Sequence, residues 1–315
     1  MDMVRRPVVA TDGVGRARAM TLAAGVLWGS SFVAIQWSLD DGFDPMMLAA
    51  LRFAVATVAA LAFVLAAGSL GAHLLRHPLV WVLGLVNAAG YAFQNYGLDL
   101  TTSTKAALIT NLSMVLVAPM SHVWLGERFT LTKAAALVAM VPGVFLLTTA
   151  GDLSTIGESQ FLGDMLILCA GASWAVYILV NKRLLDTTDA ATGPLTLWIM
   201  ATTVVFLLPP ALVITGGDVT AGGSVGAVGW AGVVYTGVGC STVAYLLFTQ
   251  GLRGVTATVS AVLLLVQVLV AAALDYAVNG TGLAPVALVG AGIIVVAMVL
   301  VSLGGGKAIG RDVSQ

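Results

Sequence analysis

Apolar stretches about the length of a bilayer-spanning helix, roughly 20 residues, recur along the whole chain, separated by short breaks rich in Gly, Pro, Asp and Arg. Lipid offers a backbone no solvent partner, so such stretches must close their hydrogen bonds internally. We place ten of them, near residues 20–39, 46–67, 79–98, 103–125, 130–149, 162–181, 194–215, 227–249, 255–275 and 283–303. Only 9% of the 315 residues are charged and 59% are hydrophobic, whereas soluble domains carry roughly a quarter charged residues. The expected fold class is an all-α integral membrane protein of ten transmembrane helices. A net charge of −1 with fourteen scattered Lys and Arg excludes a nucleic-acid partner. Arg5, Arg6, Arg16 and Arg18 precede the first stretch as in a secretory signal, but that stretch is bilayer-long and no small-residue cleavage site ends it, so it counts as a span.

Charge orients the spans, because cytoplasmic loops collect Lys and Arg. With ten spans, alternate loops and both termini hold Arg5, Arg6, Arg16, Arg18, Arg76, Arg128, Lys133, Lys182, Arg183, Arg253, Lys307 and Arg311, twelve of the fourteen. The other loops hold Asp40, Asp41, Asp44, Asp99, Asp152, Glu158 and Asp218. Both termini are therefore expected to be cytoplasmic, in a multi-pass protein of a bacterial-type inner membrane. The polar stretch 151–161 divides five spans from five. A shift of 154 residues puts Tyr96-Gly97-Leu98 on Gln250-Gly251-Leu252, Thr104 on Thr258 and Ala136 on Gly290, and a shift of 146 puts Trp28 on Trp174. The expected organisation is a tail (1–19), a first repeat (20–150), an outer linker (151–161), a second repeat (162–303) and a tail (304–315). An odd number of spans per repeat inverts the second against the first, which is the signature of alternating-access carriers.

Three motifs fall one to a helix in the first half: "LWGSSFVAIQWSL" from 27, "DPMMLAALRF" from 44, and "TSTKAALITNLSMVLVAPMSHVWLGERFT" from 102. The order Trp-Gly-Ser, Pro-x-x-Leu-x-x-x-Arg and Leu-Gly-Glu-Arg resembles the first EamA domain of the drug/metabolite transporter superfamily. The second half is the poorer copy: Asn279-Gly280-Thr281 stands where Gly-Glu-Arg is expected, and Ala201 aligns with Arg52. The resemblance implies two inverted five-helix repeats, metabolite export, and a central cavity surrounded by the first, third, fourth, sixth, eighth and ninth spans.

Polar side chains in hydrocarbon are costly and face the bundle interior. Helical spacing gathers them into stripes. The third span carries Asn87, Tyr91 and Asn95, and the sixth Trp174, Tyr177 and Asn181, with Trp28 and Ser31 of the first in matching positions. The eighth places Tyr235, Thr242, Tyr245 and Thr249 on one side, the ninth carries Ser260 and Gln267, and the fourth Thr104 and Asn111. These are the same six spans. The substrate-binding candidates are Trp28, Ser31, Asn87, Tyr91, Asn95, Asn111, Trp174, Tyr177, Tyr245 and Gln267, with Gly29 allowing close backbone approach. Trp37, Trp81, Trp124 and Trp198 read as interfacial belt or packing residues. Aromatic faces with neutral amides and hydroxyls suit an amphipathic small metabolite, an amino acid or a relative of one, the alternative being a drug-like cation.

Four charged residues are candidates for a charge or gating role. Arg52 and Lys105, placed near the outer face, either attract an anionic group of the substrate or pair with Asp44 and Asp99. Asp164 and Asp275 are the protonatable groups available to a coupling proton, and as helix-end residues they read better as solvated charges. Glu127-Arg128 is expected to fix the turn into the next helix. Cys169 and Cys240 read as small core residues, not a disulfide. No cofactor or metal is expected: His73 and His77 lack a third ligand, and "GGGK" at 304–307 lacks the Ser or Thr of a phosphate loop. A membrane enzyme has no nucleophile set to use. A channel would be expected to show rings of like residues. Small residues such as Gly290 and Gly292 permit close helix packing, so the state is a monomer or a homodimer.

Overall fold

The computed structural model describes residues 11–100, 109–111, 114–127, 130–156, 161–218, 224–279 and 284–305. Among them the chain is helical: α1 (Thr11–Asp40), α2 (Pro45–Ala66), α3 (Pro78–Leu100), α4 (Val117–Leu125), α5 (Leu131–Thr149), α6 (Phe161–Thr187), α7 (Thr192–Thr215), α8 (Ala227–Tyr235), α9 (Ala244–Gly254), α10 (Ala257–Leu264), α11 (Val266–Asn279) and α12 (Pro285–Gly305). Seven helices of the described residues are long and apolar enough to cross a membrane: Gly13–Asp40, Pro45–Ala66, Leu131–Thr149, Phe161–Thr187, Thr192–Thr215, Ala227–Gly254 and Ala257–Val278. Pro285–Val301 is a shorter apolar helix. Of the two other predicted spans, α3 is diluted by Asn87, Gln94 and Asn95, and most of the first half of the fourth lies outside the described residues.

The helix ends follow from local chemistry. Asp44 accepts from the amides of Met46 and Met47, both at 2.9 Å, and Pro45 occupies the first helical position where its missing N–H costs nothing. Thr130 caps α5 in the same way through the Lys133 amide. Several helices outrun the expected spans, most of all α1, which begins at Thr11, and α6, which continues to Thr187. The expected ninth span is interrupted at Leu265, where 3₁₀-type bonds run from the Leu265 amide to the Val262 carbonyl and from the Val268 amide to the Leu265 carbonyl.

The bundle is apolar on its outside, and polar side chains are buried among the apolar residues of its interior. Val58, Phe63, Val138, Val213 and Val299 are exposed, whereas Thr21, Ser38, Arg52, Asn87, Ser121, Lys133, Asn181 and Thr203 are buried. That distribution is stable only with lipid around it. Cys169 is exposed on α6, so only Cys240 is the small core residue expected of both, and both thiols are free. Trp37, Trp81 and Trp124 are exposed, as belt residues are.

Helix pairing shows how the halves relate. α3 packs on α6 and α1 on α9; α2 packs on α7 and α5 on α12; α1 meets α10 and α11, and α6 meets α4. Exchanging α1 with α6, α2 with α7, α3 with α8–α9, α4 with α10–α11 and α5 with α12 leaves this set of pairs unchanged.

Gly290 is used inside the chain: a methyl group built on it would stand 2.5 Å from the Leu147 amide nitrogen and 2.6 Å from the Gly143 carbonyl oxygen of α5, whereas one on Gly292 meets nothing within 4 Å. Gly290→Leu should therefore destabilise the bundle by about 1–3 kcal/mol, the usual range for overpacking, read as a lower thermal midpoint in detergent. Gly292→Ala should leave the midpoint in place, and equal midpoints for both variants would mean that α5 and α12 are not in close contact.

Candidate functional site

Between α8 and α9 the helix does not break but widens. Residues Thr236–Val243, "TGVGCSTV", form a π-helical turn, so that Ala227–Gly254 runs as one span. Widening to i→i+5 bonding displaces carbonyls from the regular ladder, and such turns are common at functional sites. The Cys240 carbonyl accepts from Trp28 Nε1 at 2.8 Å and from Arg52 Nη2 at 3.5 Å. Arg52 Nε donates to Ser241 Oγ at 2.7 Å, and Thr242 Oγ1 donates to the Ala56 carbonyl at 3.0 Å. Gly237 lets α2 come this close, since a methyl group there would lie 2.7 Å from Val55 Cγ1 and 2.9 Å from the Arg52 carbonyl oxygen. One turn of the second half thus anchors two helices of the first.

Around this turn the aromatic side chains of α1, α2, α3, α6 and α9 form a continuous array. Trp28 packs edge-on against Tyr245 at 5.2 Å between ring centroids and lies 5.4 Å from Phe248. Phe53 meets Tyr91 at 4.9 Å, Tyr91 meets Trp174 at 5.7 Å, and Tyr177 meets Tyr245 at 5.8 Å, all near perpendicular. Edge-to-face pairs of this kind set a positive ring edge on a negative face. The Arg52 guanidinium lies 5.0 Å from the Tyr91 centroid and 5.6 Å from that of Phe53, within cation–π range.

Polar groups thread the array. The Tyr245 hydroxyl donates to Asn87 Oδ1 at 2.7 Å, and Asn87 Nδ2 donates to Thr203 Oγ1 at 3.1 Å. Asn181 Nδ2 donates to Thr249 Oγ1 at 3.5 Å. By contrast the buried Tyr177 hydroxyl and Asn181 Oδ1, one helical turn apart, have no hydrogen-bond partner among the described residues beyond each other, and the buried Ser260 Oγ has none there. A buried polar atom left in that state costs about 1–3 kcal/mol, so these three are places where a ligand or water gains a bond.

The structure brings together Trp28, Asn87, Tyr91, Trp174, Tyr177 and Tyr245 of the expected site. Ser31 is buried but bonds back to the Trp28 carbonyl at 2.7 Å, and Asn95 Nδ2 is taken by the Pro45 carbonyl at 2.7 Å. Asn111 is buried and Gln267 half-buried. The close approach permitted by Gly29 is to α11: a methyl group there would lie 2.6 Å from the Gln267 carbonyl oxygen. Tyr235 does not join Tyr245. It is exposed and bonds Ser30 Oγ at 2.6 Å, because the π turn between them rotates the face that a regular 3.6-residue period would have kept. Arg52 sits deeper than the expected outer-face position, with its head group at Cys240, the middle of Ala227–Gly254. Asp164 is half-buried at the start of α6, while Lys105 and the side chain of Asp275 lie outside the described residues. Phe53, Phe248 and the Cys240–Ser241 pair were missed. An apolar ring or a main-chain carbonyl carries no signal in an apolar run; the two glycines at 237 and 239 are the only local hint of the turn.

Glu127 does more than fix its own turn. It reaches across to the second half, where Oε1 accepts from the Ala257 amide at 2.5 Å and Oε2 accepts from the Thr258 amide at 3.3 Å and from Thr258 Oγ1 at 3.0 Å. Thr258 Oγ1 also lies 2.9 Å from Ser121 Oγ, and the buried Lys133 ammonium is 4.0 Å from Oε2. A carboxylate placed on the first amides of a helix satisfies free donors and meets the positive end of the dipole.

A two-part helical bundle with an apolar exterior and its polar and aromatic side chains gathered where the halves meet is the build of a membrane transporter. The chain matches the EamA-like transporter family twice, over residues 16–149 and 161–303, and it belongs to that family; it is a multi-pass membrane transporter of a small-molecule substrate, not an enzyme. An uncharacterized transporter of Archaeoglobus fulgidus is 30% identical over 265 residues, covering 81% of this chain and 86% of that protein. A probable amino-acid metabolite efflux pump of Escherichia coli K12 is 28% identical over 195 residues, 59% of each chain. A protein of known crystal structure has the same fold, with a TM-score of 0.78 at 19% identity over 93% of this chain and 99% of its own.

Glu127→Ala should leave the Ala257 and Thr258 amides uncapped and destabilise α10 by about 1–2 kcal/mol, the range for losing a helix cap. Amide exchange at residues 257–260 should speed up accordingly. Unchanged exchange there would show that Thr256, which caps Val259 from within the helix, is sufficient alone.

Proposed function

We propose that the chain is a secondary carrier that exports an amino acid or a related amphipathic metabolite by alternating access. One observation carries this reading: seven aromatic rings from both halves join in one array, tied to the Cys240 turn through Trp28, with the buried Tyr177 hydroxyl and Asn181 amide oxygen beside it meeting no partner beyond each other among the described residues. Carriers built from inverted repeats bind substrate near mid-membrane where the halves meet, often at non-regular helix turns. The pairing symmetry supports two such repeats, taken as 20–150 and 162–303 with an outer linker at 151–161. Both termini lie in the cytoplasm of a bacterial-type inner membrane on the Lys and Arg distribution. The name of the Escherichia coli relative favours an amino-acid metabolite and an outward direction. A drug-like cation, the second substrate class, suits the ring faces but meets the positive Arg52 at the centre.

In this reading Trp28 and Trp174 hold the apolar part of the substrate, while Tyr177 and Asn181 offer it hydrogen bonds. Asn87 and Tyr245 set the positions of the rings. A coupling proton has no established acceptor: Asp164 and Asp275 remain at helix ends.

Counterflow in proteoliposomes tests the assignment. Purified protein loaded with a mixture of amino acids, nucleosides and cationic drugs should exchange one class, and Trp28→Ala should reduce that exchange at least roughly tenfold, as losing 1.4 kcal/mol or more of binding does. Exchange untouched by Trp28→Ala in a folded variant would move the site away from the ring array, and no exchange of any class would remove the carrier assignment.

A further inference from the structure

The position that asks most for explanation is Arg52. Its side chain is 3% exposed at mid-span, in a setting where an uncompensated charge is strongly disfavoured. Among the described residues no carboxylate pairs with it; the ion pairs there are Lys133–Glu127 and Lys182–Asp186. Its neighbours are a hydroxyl, a carbonyl and two ring faces. A guanidinium carries five N–H donors in a rigid fork, and two hydrogen bonds, one of them long at 3.5 Å, leave three without a protein partner among the described residues.

A purely structural tie explains this poorly. Anchoring α2 to the π turn needs only a neutral donor, as Thr242 shows one helical turn away by bonding the Ala56 carbonyl. What an arginine adds is a permanent charge and a planar fork that matches a carboxylate in two parallel bonds. The placement is that of a held donor: Ser241 fixes Nε and the ring faces of Tyr91 and Phe53 orient the plane. Tyr91 also touches Trp174, so the charged group and the ring array share a wall.

We propose that Arg52 is the carboxylate anchor of the substrate site. Resting on the carrier reading above, this narrows the substrate to a small carboxylate with an apolar or aromatic remainder, bound with its acid group on the Arg52 fork and its remainder against the Trp28–Tyr91–Trp174 rings. The anion neutralises the buried charge only while bound. Amines and amides of the same shape are then poor substrates, because they leave the guanidinium unpaired.

The test is a competition series in proteoliposomes of the full chain, with labelled L-phenylalanine counterflow competed by unlabelled L-phenylalanine, 3-phenylpropionate and L-phenylalaninamide. Wild-type protein should be inhibited by both acids at concentrations roughly tenfold or more below the amide, a ratio equivalent to at least 1.4 kcal/mol of discrimination. Arg52→Lys should keep part of that preference as a point charge, and Arg52→Gln, in protein that remains folded, should lose it along with the exchange of phenylalanine. Equal inhibition by acid and amide in the wild type overturns the anchor while leaving a carrier in place, and this arm needs no variant to fold. Failure of the wild type to exchange any compound in either counterflow panel overturns the carrier reading and the anchor with it. Arg52→Gln that exchanges phenylalanine normally, with its acid preference intact, returns Arg52 to a structural tie.

Discussion

Hydrocarbon offers no partner to a peptide group, so a chain that lives in it must return every backbone bond to itself. Helices meet that demand along nearly all the described residues, and one departure within a long span, the π turn at Thr236–Val243, gathers side chains of α1 and α2 onto it. A carbonyl displaced from the ladder has to be met by a side chain from elsewhere. Trp28 and Arg52 meet the Cys240 carbonyl, and in doing so they fix α1 and α2 against the second half. The ring array follows from this, because Trp28, held by its indole nitrogen, packs against Tyr245 and Phe248.

The second link between the halves is of a different kind. Glu127 supplies a charge to the free amides at the start of α10, with Ser121 and Lys133 completing the cluster. The glutamate of the family-like Leu-Gly-Glu-Arg motif thus reaches the opposite repeat, while its backbone holds its own turn through Ser121 and His122. The poorer copying of the second half becomes intelligible: Asn279-Gly280-Thr281 lacks the carboxylate, so any reciprocal contact would need other chemistry. In the proposed alternating-access cycle the central tie and the terminal cap need not release together, because one is a set of hydrogen bonds at the Cys240 turn and the other a carboxylate on a helix end.

Much of the site was legible because polar and aromatic residues are rare in these apolar runs, and each sits where its helical period predicts. Asn87, Trp174 and Tyr177 fall on inward faces since α3 and α6 are regular across them. Tyr235 departs because one widened turn between it and Tyr245 breaks the period used to align them. Ser31 and Asn95 are inward but occupied by neighbouring carbonyls, a distinction that spacing along one helix does not carry. Phe53 and Phe248 had no signal at all, being apolar residues among apolar residues.

By itself the sequence determined that this chain is a bundle of membrane helices in two related halves, and which stripes of those helices turn inward. The reason is local: span length, the rarity of polar groups in hydrocarbon and the 3.6-residue period act within a single segment. Tertiary structure alone decided that Arg52 reaches the Cys240 turn with no carboxylate paired to it among the described residues, that Glu127 caps a helix of the other half, and that Trp28 of the first half meets the Cys240 carbonyl of the second. Those are contacts between residues about 130 to 210 positions apart, and only the packing of whole helices brings such groups within bonding distance.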